Sequence, residues 1–103
     1  MNNEPQENES RLATKLREFK FHDKSIPSHM QTPLLGYIEN YIPTGSFLHA
    51  ILANDLEGAV SRADETNLWL IPVYVSFLYN EAPITCWGSH AKVISWLSRR
   101  EGK

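Results

Sequence analysis

At 103 residues, 42% hydrophobic and 21% charged, the chain has material for one small domain with a modest core, which excludes a two-domain enzyme. Ten basic side chains against twelve acidic ones leave a formal charge of -2, so the molecule as a whole is no electrostatic glove for nucleic acid. No apolar run approaches the roughly 18 residues that cross a bilayer, the acidic start MNNEPQENES is the opposite of a signal peptide, and a single cysteine fits a reducing compartment better than secretion.

Along the chain the charge divides. Residues 1–9 are polar and carry only acids, and their composition predicts disorder. Residues 10–25 hold Arg11, Lys15, Arg17, Lys20 and Lys24 against Glu18 and Asp23, a net of +3. Ser10 is placed to cap a short helix with Leu12, Leu16 and Phe19 at helical spacing. Its apolar stripe is thin, so this helix is expected to be peripheral or ordered only against a partner subunit. The stretch from Phe21 to His29 reads as a linker because Pro27 and short polar residues interrupt the periodicity. Residues 1–29 are thus expected to be an arm and linker, and residues 30–100 the compact helical domain.

Within that domain, Thr32-Pro33 is a favourable helix opening, followed by the stripe Leu34, Leu35, Ile38, Tyr41 and Ile42 and ended by Pro43-Thr44-Gly45. Ser46 is expected to cap a second helix with Phe47, Leu48, Ile51 and Leu52 inward and Leu56 and Val60 extending the stripe to Ala63. Asn54 and Gly58 weaken its middle, and a break at Asn54-Asp55 with Asp55 recapping fits them. Asp64 or Thr66 starts a third helix carrying Leu68, Ile71, Val75, Leu78 and Tyr79, with Pro72 tolerated in its first turns or at a kink. A strand pair over the same residues would need a Gly or Asn turn, and none is there. Ser89 caps a last helix with Val93, Ile94, Trp96 and Leu97 available for packing. The expected fold is all-α: a small bundle of about four helices with a flexible N-terminal arm. The third helix is apolar on nearly every side and needs covering all round, which a homodimer or higher homo-oligomer would do.

The search for chemistry returns little. His22, His29, His49 and His90 form no pair three or four apart, and neither HExxH, paired cysteines nor a calcium loop occurs, so no metal is expected. GxGxxG and the P-loop signature are absent, and no cofactor is expected. Cys86 with His90 is the least poor nucleophile–base pair, but no third group to orient the imidazole is legible, and Cys86 reads more simply as a small buried hydrophobe. Catalytic residues are expected to be absent. The basic residues from Arg11 to Lys24, interleaved with Phe19 and Phe21, are a modest footprint for phosphates and stacked bases. Aromatic residues are the better surface hint: Tyr37, Tyr41, Trp69, Tyr74, Trp87 and Trp96 exceed what so small a core covers.

The strings Phe47-Leu48-x-Ala50-x-Leu52, Asn54-Asp55-Leu56, Arg62-Ala63-Asp64-x-x-Asn67 and Leu78-Tyr79-Asn80-x-x-Pro83-x-x-Cys86-Trp87-Gly88-Ser89 resemble a group of short bacteriophage- and prophage-encoded hypothetical proteins. The likeness spans about residues 33–97. It implies a setting, a small accessory protein in a bacterial cytoplasm, and no mechanism. Polar members of these strings, Asn54, Asp55, Arg62, Asp64, Asn67 and Asn80, together with Trp69, Tyr74 and Trp87, are the candidate binding residues; the plainer reading makes the polar ones caps and turns of a helical hairpin. The function expected first is non-enzymatic, stoichiometric binding to a host protein for counter-defence or regulation. Sequestration of a small anionic signalling ligand through Arg62 and helix N-termini, and nucleic-acid binding by the basic arm, stand as alternatives.

Overall fold

The computed structural model describes residues 9–101, and among them it holds seven helices and no strand. These are α1 (Arg11–Glu18), α2 (Ser28–Asn40), α3 (Ser46–Leu52), α4 (Leu56–Arg62), α5 (Glu65–Leu68), α6 (Ile71–Glu81) and α7 (His90–Ser98). The all-α class is as expected. The count is higher than four because both of the longer helices expected after residue 45 are divided and α1 adds a seventh.

The first division is built from two overlapping caps. At the end of α3, Asn54 takes the left-handed conformation (φ 61°), which asparagine tolerates better than most residues. Its N–H donates to the Ile51 carbonyl and the Asp55 N–H to the Ala50 carbonyl, a Schellman closure. Asp55 then serves as N-cap of α4, its carboxylate accepting from the Gly58 N–H at 3.0 Å. The break and the recapping at Asp55 are those the sequence predicts. The second division falls at Trp69-Leu70. Pro72 has no amide to give the Leu68 carbonyl, so α5 stops and Pro72 occupies the first turn of a new helix.

Two expected helix starts are corrected. α2 opens at Ser28 rather than at Thr32, so Pro33 sits inside it. The chain is already held in place there: the Met30 N–H reaches the Pro27 carbonyl at 2.9 Å and the Gln31 amide reaches the Ile26 carbonyl at 2.8 Å. The carbonyl that Pro33 leaves without a donor belongs to His29, which is exposed and open to water. Ser46 is the first helical residue of α3 and makes no capping bond; Gly45 holds the cap position. Ser10, Asp64 and Ser89 do cap their helices, accepting from the N–H groups of Ala13, Asn67 and Lys92.

The core also reaches back across the expected boundary near Met30. Leu16 of α1 and Ile26 of the following segment are fully buried in the same core as Leu34, Leu52, Phe77 and Val93. α1 packs on α2 and α6, and the Phe19 ring meets Phe77 edge-on at 5.5 Å between centroids. Between α1 and α2 the chain reverses through a two-residue turn, Phe21 and Lys24 exchanging hydrogen bonds of 2.9 and 3.0 Å while His22 and Asp23 take positive φ. Glu9, expected to be disordered, receives two hydrogen bonds from the Arg17 guanidinium at 2.9 and 3.1 Å, which hold its carboxyl below the usual range. The expected disorder of residues 1–8 lies outside the described residues.

Long-range hydrogen bonds then lock the helices together. The Trp96 indole N–H donates to the Tyr37 carbonyl at 2.9 Å, and the Tyr37 hydroxyl donates to the Cys86 carbonyl at 2.7 Å. One chain of bonds thereby joins α7, α2 and the connection before α7. Gly88 closes the connection onto α3: its N–H reaches the Leu52 carbonyl at 2.8 Å, and its φ of 116° is one that only glycine adopts without strain. Among the described residues no buried side-chain polar atom lacks a partner.

Candidate functional site

Two surfaces stand out once the helices are in place. One is apolar and lies along α6, which buries Ile71, Val73, Tyr74, Phe77 and Leu78 and turns Pro72, Val75 and Tyr79 to solvent. Spacings of three and four put those three on one face. Of the expected stripe, Ile71 and Leu78 are buried and Leu68 is half-buried, while Val75 and Tyr79 face solvent; Val73, Tyr74 and Phe77 complete the inward side instead. Leu56 and Val60 of α4 and Ile94 of α7, also expected to pack, are exposed as well. Exposures of 70% for Trp69, 79% for Tyr79, 75% for Ile84 and 67% for Leu56 are too high for residues serving the chain's own core. Leu56 and Val75 share one cleft, and Tyr79, Ile84 and Trp87 share a second of about 510 Å³ with Lys92 at its edge. Trp69 and Pro72 line a third beside Phe21 and Lys24.

The other surface is polar. α3, α4 and the start of α7 enclose a cleft of about 460 Å³ floored by Ala50 and Ala53 and lined by Ser46, His49, Asn54, Asp55, Arg62 and His90. His49 and His90 meet edge-to-face at 5.7 Å between ring centroids. Gly58 permits the close approach of two of these groups. A Cβ there would collide with the Asp55 carboxylate and the Arg62 guanidinium, both of which cross the helix backbone at that point.

The candidate residues read from the sequence therefore divide. Asn54, Asp55 and Arg62 come together in the polar cleft. Asp64 caps α5, its carboxylate accepting from the Asn67 N–H at 2.7 Å. The Asn67 side chain is buried and accepts from the Tyr74 hydroxyl at 2.6 Å. Burial raises the Tyr74 hydroxyl well above the usual phenol range, with Asp64 adding to the effect, so it stays a donor. Asp64, Asn67 and Tyr74 are thus parts of a joint between α5 and α6, as the plainer reading has it, and Tyr74 is not a surface aromatic. Asn80 is exposed and bonds back to the Ser76 carbonyl one turn earlier. Trp69 and Trp87 belong to the apolar surface. Asp64→Ala should lower stability by about 1 kcal/mol, the usual worth of an N-cap, seen as an earlier midpoint in urea with an unchanged slope.

Sequence reasoning passed over His49 and His90 as site partners, since residues that far apart in sequence meet only through the packing of α3 on α7. Cys86 is buried, and burial pushes its thiol up to about 11, which keeps it protonated at neutral pH and unsuited to attack. Among the described residues no group of three or more His, Cys, Asp or Glu side chains is placed to hold a metal ion, and no helix is long and apolar enough to cross a membrane.

Fold and surface together define the class: a small all-α protein with an apolar face beside a polar cleft that holds Arg62, Asp55 and two histidines. Compared with known protein families, curated proteins and solved structures, the chain matches none.

Proposed function

We propose that the chain acts without catalysis, by stoichiometric binding to a host protein, in the phage-accessory role in a bacterial cytoplasm that its sequence resemblance implies. The outer face of α6 carries this reading. Glu81, at the helix's end, is the only charged residue between Ile71 and Glu81, and the solvent-facing Val75 and Tyr79 are extended by Trp69, Leu56 and Ile84. Depletion of charge around large aromatic residues is what marks the centre of a protein interface. The occupant that matches is a protein offering an apolar groove, with its polar rim against Lys92 and Glu81.

A second copy of the chain is the other reading that this face favours. Val75 lies between Trp69 and Tyr79, so antiparallel pairing of α6 about a two-fold axis would set each Trp69 near Tyr79 of the partner subunit.

Native mass spectrometry on protein purified gently from bacterial cells, beside a denatured control, tests both. A complex with a second protein, lost in a Trp69→Ser/Tyr79→Ser variant, is the expected result, and the loss should amount to about 2 kcal/mol or more of binding. A clean dimer lost in the same variant would replace the host partner with the second copy. A monomer that retains nothing would sink the proposal. Both residues are solvent-facing, so the variant should keep its folding stability to within about 0.5 kcal/mol.

A further inference from the structure

We infer that the cleft between α3, α4 and α7 is a binding site for a phosphate monoester, gripped by Arg62, His49 and His90. The α6 face is not needed for this site, since neither Trp69 nor Tyr79 lines it. Three helices each contribute one nitrogen-bearing side chain to one small volume. Among the described residues none of the three donates a side-chain hydrogen bond or forms an ion pair within the protein. The two imidazoles meet edge-to-face, and the Arg62 guanidinium lies over Gly58. Arg62 is also the single base among the six acids of residues 26–91, and it is in this cleft rather than paired with one of them.

The helix that carries Arg62 is shaped for its position. Glycine is among the poorest helix formers, yet Gly58 sits in the second half-turn of the seven-residue α4. Any larger residue would push the Arg62 guanidinium and the Asp55 carboxylate away from the backbone they lie against. Asp55 is the one acid lining the cleft, and one of its oxygens is committed to capping α4 through the Gly58 N–H. A metal is the wrong ligand for this set, which has too few anionic or soft donors. A phosphate is the right one: it accepts from guanidinium and imidazole N–H groups together. The cleft's 460 Å³ exceeds what bare phosphate fills and falls within the range of small-molecule sites, leaving Ala50 and Ala53 as a floor for the ester's organic body.

The test is a pair of nuclear magnetic resonance titrations, with inorganic phosphate and with adenosine monophosphate as probes, reading the backbone amides, the imidazoles of His49 and His90 and the Arg62 side chain. The expected result is saturable shifts centred on those three residues and Asn54, with the monophosphate ester binding more tightly than phosphate. Arg62→Gln should weaken binding about tenfold or more. Asp55→Asn keeps an N-cap and removes the opposing charge, so it should tighten binding about threefold. Both variants are at exposed positions, and an unchanged amide spectrum away from the cleft establishes that they fold. Absence of shifts with either probe, unchanged affinity in Arg62→Gln, or shifts centred on Arg11, Lys15, Lys20 and Lys24 instead would overturn the site. Equal affinity for phosphate and the ester would overturn the monoester.

Discussion

Replacing Leu16 by alanine should destabilise the protein by about 2–5 kcal/mol, the range for emptying a closed core position. Small domains have only about 5–15 kcal/mol in total, so the loss is a large share of what holds this one folded. Leu16 is fully buried although it lies on a helix whose other residues are half-buried or exposed. α1 touches the rest of the molecule through that residue, with Leu12 and Phe19 flanking it, against α2 and α6. The ion pair between Lys15 and Glu81, at 3.8 Å with both groups partly exposed, cannot substitute for this packing, because such pairs contribute about 0–1 kcal/mol. Urea unfolding followed by circular dichroism would measure the change. A loss below about 0.5 kcal/mol, the size of an ordinary surface substitution, would mean that α1 is the peripheral helix expected from its thin stripe. Arg11→Ala, on the solvent side of the same helix, is the control, and it should stay near that surface value.

The Leu16 result bears on how far this fold can be read from residues alone. Local chemistry was legible. Asp55 and Asp64 announce caps by side chain, Asn54 tolerates the left-handed turn, and Pro72 sits where its missing amide must end one helix and start the next. Each of those statements concerns residues within a turn of one another. What failed to be legible is the choice among faces. Counting threes and fours from Leu68 leads to Val75 and Tyr79, while counting from Val73 leads to Phe77; in an almost wholly apolar helix both counts succeed. Only the placement of Phe19 and Phe47 against Phe77 and Tyr74 decides which face is inward. The thin stripe of α1 misleads for a related reason, since one leucine and one phenylalanine suffice when the surface they meet is already formed.

The site follows the same division. Asn54, Asp55 and Arg62 were legible as neighbours because one short helix carries or borders all three. The scattering of Asp64, Asn67, Asn80, Trp69 and Trp87 over other parts of the surface and joints was not, because no sequence pattern fixes the relative rotation of α4, α6 and α7. The meeting of His49 with His90 depends on that rotation entirely. It also depends on Gly88, whose bond to the end of α3 brings the start of α7 back over α3.

Trp96 is where the second large effect should fall, and two substitutions separate its parts. Trp96→Ala should cost about 3–5 kcal/mol. It empties a nearly closed position, removes the edge contact with Tyr41 at 5.3 Å, and takes away the ring over which the Arg99 guanidinium lies at 4.2 Å. It also removes one of the two N–H groups that reach the Tyr37 carbonyl, the Tyr41 backbone N–H at 3.1 Å being the other. Trp96→Phe retains most of the ring and isolates that last consequence, and it should cost about 0.5–1.5 kcal/mol, the net worth of one hydrogen bond to an acceptor that keeps a second donor. The effect should propagate, because Tyr37 is itself bonded to the Cys86 carbonyl, and burial holds its hydroxyl well above the usual phenol range as an obligate donor. A cycle of Trp96→Phe with Tyr37→Phe therefore should not be additive: once one bond of the chain is broken, breaking the other should cost less than it does alone. Strict additivity in urea midpoints would show that the two bonds act separately, each with its own share, rather than as one chain. Trp96→Phe would then cost the same with or without the Tyr37 hydroxyl.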